Sequence, residues 1–336
     1  MIKLAVVILN WNGEHYLKTF LPTLLKNLPH YAEVIIADNA STDGSITYVQ
    51  QQFPALRIIQ NNTNQGFAEG YNTALRQIKA EYYCLLNSDI EVTPQWIEPI
   101  INFFETHAKV AVIQPKLLSY YKRNTFEYAG ACGGYIDKYG YPFCRGRLFD
   151  IVEEDNGQYN EPCEIFWATG AALFVRSSVY HQLGGLDPDF FAHMEEIDFC
   201  WRVKNHGHSI WVVPQSIVYH VGGGTLPKNN AFKTYLNFRN NLYLLLKNLP
   251  SKRIIPTLFV KFFLDQIAAF FFLLQGHFQD FCAVYRAMWH FYKHRKKTKQ
   301  KREKDLTQAY TQLYPKSIVW AHYALRKKHF NGDKLF

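Results

Sequence analysis

Two short acidic stretches hold the residue types from which chemistry could be built. In Tyr82-Tyr83-Cys84-Leu85-Leu86-Asn87-Ser88-Asp89, an apolar run breaks off into an amide, a hydroxyl and a carboxylate. A carboxylate at the carboxyl edge of a strand could hold Mg2+ or Mn2+, hard cations suited to oxygen ligands, and such a cation would neutralise a departing diphosphate. In Glu195-Glu196-Ile197-Asp198, three carboxylates fall within four positions, just ahead of Phe199, Trp201 and Val203. A helix start there favours negative charge, and crowding raises at least one pKa toward the range a general base needs. Each stretch also has a plain structural reading: aspartates end strands by capping the next turn, and acidic residues open helices without reacting. What surrounds them separates the two readings.

Apolar periodicity predicts the elements that would position Asp89. Residues 5–9 read as a buried strand closed by Asn10-Trp11-Asn12-Gly13, after which Tyr16, Phe20, Leu21, Leu24, Leu25 and Leu28 recur at helical spacing. A second strand at 33–37 ends in Asp38-Asn39-Ala40-Ser41-Thr42-Asp43. A third at 56–59 leads through Asn64-Gln65-Gly66-Phe67 to a helix over 68–79, and then comes the strand before Asp89. Four such units predict an α/β fold with a mostly parallel sheet covered by helices. Parallel strands put their carboxyl ends on one side, so the loops at Asn10, Asp38, Asn64 and Asp89 should converge on one crevice. No loop carries a Gly-x-Gly-x-x-Gly or Gly-Lys-Ser/Thr motif, so a nucleotide site here would rely on acidic and amide side chains. Further on, residues 210–214 and 217–225 predict two short strands and a glycine loop, Gly222 to Gly224, that could hinge over a ligand.

With 336 residues, 48% hydrophobic and 16% aromatic, the chain has ample core for one large or two smaller domains and is far from disorder. Charge divides it: residues 1–225 carry a net −7 and residues 226–336 a net +16, which points to two different jobs. The six cysteines show no paired or metal-ligand spacing and read mostly as small core residues in a reducing compartment. The apolar run near Met1 is too short for a secretory signal and lacks a small-residue cleavage site, so the expected location is cytoplasmic.

Taken in order, Val6-Val7-Ile8-Leu9-Asn10-Trp11-Asn12, Asp38-Asn39-Ala40-Ser41-Thr42-Asp43, Asn64-Gln65-Gly66-Phe67 and Leu85-Leu86-Asn87-Ser88-Asp89 resemble the inverting family 2 glycosyltransferases with a GT-A fold. The nearest likeness is to the bacterial rhamnosyltransferase-like branch that builds surface polysaccharides. The resemblance covers roughly residues 1–225, which leaves a helical, basic C-terminal region at 226–336. It implies a nucleoside-diphosphate sugar donor, dTDP- or UDP-linked, and a saccharide or lipid-linked acceptor. Carried over, Asn10 and Trp11 line the base pocket, Asp38 accepts the base N–H, and Asn39 and Gly66 shape the nucleotide loops. Asp43 reads equally as a turn or N-cap residue. Where the family usually has Asp-x-Asp this chain has Asn87-Ser88-Asp89, so Asn87 would contact ribose or a metal-bound water, and the cation would bind together with the diphosphate.

The resemblance extends to Trp167-Ala168-Thr169-Gly170, expected on the acceptor side, and to Glu195-Glu196, where the family commonly has Glu-Asp. Glu196 is assigned as the base that deprotonates the acceptor hydroxyl and Glu195 as the residue that orients the site. Asp198 is assigned to helix anchoring through Arg202, four residues on. His220, which follows a strand, would complete the metal site beside Asp89, although a lone histidine there is more often an ordinary hydrogen-bonding residue.

Residues 254–275 approach the length of a bilayer span but include Lys261, Asp265 and Gln266, so a buried or in-plane helix fits better than a span. Lys261 and Asp265, four apart, could pair. Phe278, Phe281, Tyr285, Met288, Trp289 and Tyr292 then run at helical spacing into a basic block over 293–304. That combination points to an anionic membrane surface at the inner face of the cell membrane rather than to nucleic acid, for which no reader motif is present. Two other readings stand beside the transferase: a nucleotidyltransferase, which would ordinarily need a basic glycine-rich first loop, and a degenerate carbohydrate-binding or scaffold protein, favoured by Asn87.

Overall fold

The computed structural model describes residues 2–222, 230–303 and 307–330. Gly223 and Gly224 of the expected hinge, and the boundary at 225, lie outside them. The N-terminal part alternates β1 (Ile2–Asn10), α1 (Glu14–Lys26), β2 (Ala32–Asp38), α2 (Ser45–Gln52), β3 (Arg57–Gln60), α3 (Gly66–Leu75) and β4 (Ala80–Asn87). The helical-period residues Leu17, Phe20, Leu21 and Leu24 of α1 are the ones it buries. The strands β3, β2, β1 and β4 lie side by side, all parallel, as the βα order requires. Their register sets Asn10 opposite Asp38 and Leu9 opposite Asn87, so three of the expected site loops leave the sheet at one edge.

Beyond β4 the sheet becomes mixed. After β5 (Ile90–Val92), α4 (Glu98–Thr106) and β6 (Val110–Ser119), the chain forms a small antiparallel sheet from β7 (Gly134–Ile136), β8 (Pro142–Cys144), β9 (Arg147–Leu148) and β10 (Ile151–Val152). It then continues through β11 (Cys163–Glu164), β12 (Ala172–Arg176), α5 (Ser177–Gln182), α6 (Glu195–Asn205) and β13 (Ser209–His220). β12 runs antiparallel between β4 and β6, and β6 pairs parallel with β13. The two short strands expected at 210–225 are one strand, β13, whose register slips between Val213 and Ile217. Pro214 lies in that slip; with no N–H to give the ladder, it is tolerated where the strand bulges.

Three helices follow: α7 (Ala231–Asn248), α8 (Ser251–Leu274) and α9 (Phe278–Gln300). α7 joins the main core through Tyr243, Leu244, Leu245 and Leu249. Its last turn also enters a buried ionic cluster. Lys247 Nζ donates to Asp187 at 2.7 Å and to Asp198 at 2.8 Å, Arg202 Nε donates to Asp198 at 2.9 Å, and Lys301 reaches Asp187 at 2.5 Å. Burial alone would raise the Asp187 and Asp198 carboxyls, but the cations beside them hold both below the usual carboxylate range. All six cysteines are free, and only Cys163 and Cys282 have appreciable exposure.

Removing the shared cation leaves Asp187 to Lys301 and Asp198 to Arg202, so two buried carboxylates each lose half of their ionic partners. Lys247→Met is therefore expected to destabilise the fold by about 3 kcal/mol in urea unfolding.

Candidate active site

The carboxyl ends of the strands build one side of the site. Asn10 is fully buried; its Nδ2 donates to Asp38 Oδ1 at 3.2 Å and to Ser41 Oγ at 3.0 Å, while its Oδ1 has no partner. The other carboxylate oxygen of Asp38 accepts from Ser41 N at 3.0 Å, and Trp11 beside them is 43% exposed. A rigid polar floor with one unsatisfied acceptor, bordered by an open indole face, suits a nucleoside. Asn39 is the brace of this edge: it donates to Asn64 Oδ1 and Gly66 O and accepts from Asn61 and from Gln65 N. Asp43 accepts from Ser45 N and Glu14 N, which makes it the turn residue that joins the starts of α1 and α2.

The antiparallel pairing of β5 with β13 sets His220 opposite Ile90 and so places it beside Asp89. His220 Nε2 lies 3.2 Å from Asp89 Oδ1, and its Nδ1 lies 3.4 Å from Glu127 Oε2. All three side chains are buried. Burial opposes a charged imidazole, yet Glu127 and Asp89 together push His220 up to about 10; burial likewise opposes a charged Asp89, and His220 holds it low. Once its Nε2 proton is displaced, the His220 imidazole and the adjacent Asp89 carboxylate, with Glu127 behind the ring, offer donors that fit a divalent cation. Among the described residues no three such side chains form a ready cage. Glu127, in a stretch without periodic signal, was not legible from the sequence.

The other side of the site is the start of α6. Glu195 and Glu196 each keep one buried carboxylate oxygen without a partner among the described residues. Burial pushes Glu196 up to about 7 against the pull of the backbone N–H groups of Glu196 and Ile197, and burial with the Glu196 charge pushes Glu195 higher still. Asp198, by contrast, is neutralised by Arg202 and Lys247 and serves the fold, as expected.

Residues 167–171 join the two sides. Asn87 N donates to Ala171 O at 2.9 Å, and a side chain on Gly170 would meet the Phe67 ring at 2.9 Å and Glu196 Cβ at 3.9 Å. Thr169 is buried, its N–H donating to Gln114 Oε1. Trp167 is also buried, and its Nε1 donates to Tyr135 O at 2.8 Å. It supports the strip from within the core, whereas Gly170, also buried, is the residue of the strip that packs against Glu196.

The turn before α6 is unusual: Phe191, His193 and Met194 have φ of 67°, 69° and 73°. L-residues resist this conformation. It is held by Asn240 of α7, fully buried, whose Nδ2 lies within 2.9 Å of Phe190 O, 2.9 Å of Ala192 O and 2.7 Å of His193 O. Arg239 donates to Asp189 O and Phe190 O, and Phe67 N donates to Phe191 O at 2.7 Å. Gly66 (φ 71°) lets the loops touch, since a Cβ there would sit 2.6 Å from Phe191 O. The signal for this clasp was present in the sequence as polar Arg239-Asn240-Asn241 set inside an apolar helical run.

Comparison with known proteins follows this geometry. The chain is 24% identical over 234 residues, 65% of its length and 75% of the relative's, to the N-acetylglucosaminyl-diphospho-decaprenol L-rhamnosyltransferase of Mycobacterium tuberculosis. Its fold resembles GalNAc-T7 solved with UDP, GalNAc and Mn2+ (TM-score 0.56, 15% identity), covering 73% of this chain and 48%, about half, of that one. It also resembles the mannosyltransferase PcManGT of Pyrobaculum calidifontis solved with GDP-Man and Mn2+ (TM-score 0.53, 13% identity), covering 87% of this chain and 75% of that one. The nucleotidyltransferase and scaffold readings are set aside by a match between residues 5–178 and the model of glycosyl transferase family 2, which spans the β1–β12 sheet edge just described. The chain is a glycosyltransferase and belongs to family 2.

Proposed function

We propose that the protein moves a sugar from a nucleoside-diphosphate sugar, dTDP- or UDP-linked, to a hydroxyl of a saccharide or lipid-linked acceptor in cell-surface polysaccharide synthesis, with inversion. The observation that carries this reading is the placing of the buried Asp89–His220 couple on one side of the 167–171 strip and of Glu196, its carboxyl pushed up to about 7 by burial, on the other. A rhamnosyltransferase relative named for a diphospho-decaprenol substrate supports a lipid-linked acceptor. Residues 1–225 would be the catalytic unit and 226–336 the basic region that attaches it, peripherally, to the cytoplasmic face of the membrane.

In this mechanism Asn10, Trp11 and Asp38 seat the nucleoside, with Asn10 Oδ1 as the acceptor awaiting a donor. Asn39 and Gly66 hold the loop around it, and Asn87 borders the ribose. Asp89 and His220 would hold Mg2+ or Mn2+, which when bound supplies charge neutralisation for the departing diphosphate. Glu196 takes the proton from the acceptor hydroxyl as that oxygen attacks the anomeric carbon from the face opposite the leaving group. Glu195, whose carboxyl burial and the neighbouring Glu196 charge push up, orients the acceptor beside it. Thr169 and Gly170 shape the acceptor side, with Trp167 packed below.

Calorimetric binding of UDP, dTDP and GDP tests the donor site: binding in Mn2+ should be lost in EDTA and in Asp89→Ala, and no binding of any diphosphate would overturn the reading. Because the base must be ionised, kcat/KM should fall tenfold per pH unit below an apparent pKa near 7. Glu196→Gln should lose transfer by at least about 1000-fold with nucleotide binding intact. Asn240→Asp replaces the donor of the clasp by an acceptor. It should lower kcat by about 10–100-fold while leaving the donor KM unchanged, since it misplaces Glu196 without touching the nucleoside.

A further inference from the structure

The C-terminal hairpin is built inside out. Along α8, Thr257, Lys261, Asp265 and Ala269 recur every fourth residue and are buried. Lys261 pairs with Asp265, donates to Tyr141 Oη at 3.3 Å and lies over the Phe238 ring. The opposite face carries Ile255, Phe259, Phe262, Phe263, Phe270 and Leu274, all exposed, with Ile255 at 79% and Phe259 at 65%. A helix bathed in water turns its charges outward and its phenylalanines inward. This one does the reverse, which is the arrangement expected where the medium outside is apolar.

α9 continues the surface. Tyr285, Trp289 and Tyr292 are exposed, and at the same helical spacing Lys296 and Lys299 follow on the same stripe. Tyr285 Oη donates to Gln266 Oε1 of α8 at 2.7 Å, so the aromatic stripe runs beside the phenylalanine face. Apolar face, interfacial aromatics and cations are thus in one sequence across a single surface.

We propose that α8 and α9 form an in-plane membrane-docking face. The outer side of α8 rests at the hydrocarbon boundary of an anionic bilayer, and the basic end of α9 meets its headgroups. This rests on the peripheral-membrane reading above and adds the face and the depth. By length and composition α8 could cross a membrane, but its inner side is committed to Tyr141 and Phe238, and crossing would carry the Lys261–Asp265 pair away from them into lipid. A second copy of the chain on the same face would bring two like-charged stripes together, whereas an anionic surface complements them.

The test is flotation of the full-length protein with vesicles of phosphatidylcholine alone or mixed with phosphatidylglycerol. The protein should float with the mixed vesicles and be released by alkaline carbonate. Phe259→Ser/Phe263→Ser/Phe270→Ser should weaken binding by at least about tenfold, and Lys296→Glu/Lys299→Glu should abolish the preference for the anionic lipid. Calorimetric UDP or dTDP binding by the same variants should match the parent, so loss of docking and loss of the donor site are read separately. Failure of the parent to float, carbonate-resistant insertion, or self-association that the phenylalanine variant abolishes would each overturn the proposal, the last by assigning the face to a second copy.

Discussion

Three carbonyls of one tight turn, held by one buried amide, set the geometry on which the candidate site depends. The turn from Phe191 to Met194 adopts a left-handed backbone at three non-glycine residues, a conformation that costs roughly 1–2 kcal/mol per residue. Asn240 offsets that cost by gathering the carbonyls of Phe190, Ala192 and His193 in a dry environment, where leaving them unpaired would be expensive. The turn delivers Glu195 and Glu196 to the first turn of α6, with Gly170 against Glu196 Cβ and Phe67 N bonded to Phe191 O. A helix from the C-terminal region therefore shapes the end of the candidate site that holds Glu196, whose other end is made by the N-terminal strands.

Carboxylates at the two ends are tuned in opposite directions. Asp89 and Glu196 are both desolvated, which by itself favours the protonated form of each. At Asp89 the adjacent His220 reverses the effect, and Glu127 holds that histidine from behind. At Glu196 no cation among the described residues offsets burial, and backbone N–H groups do so in part only. One carboxylate is held in its charged form while the other sits where proton uptake is easy, a division set by neighbours rather than by residue type.

The acidic front and basic tail, which read as two separate jobs, are in part each other's partners. Asp187, Asp189 and Asp198 precede or open α6, and Lys247, Lys297 and Lys301 from the tail neutralise them. Lys296 and Lys299, also of the tail, lie exposed on the outer stripe of α9. Of the two fates foreseen for residues 254–275, burial does not occur: the apolar side of α8 faces outward while the expected Lys261–Asp265 pair forms on its inner side.

Local pattern alone determined the βα order, the parallel β3-β2-β1-β4 block, and the gathering of Asn10, Asp38, Asn64 and Asp89 at one edge, because strand direction follows from chain order and short connections. The Asp198–Arg202 and Lys261–Asp265 pairs were legible for the same reason: i,i+4 spacing is a property of the helix itself. Tertiary structure decided what distance in sequence conceals. Glu127 meets His220 across 93 positions of chain, Asn240 reaches back to the turn before α6, Trp167 turns inward, and the 210–225 strands merge into one bulged strand. Each is a contact between segments with no shared periodicity, so no spacing rule can encode it; only the packing of sheet, strip and C-terminal helices brings those groups together.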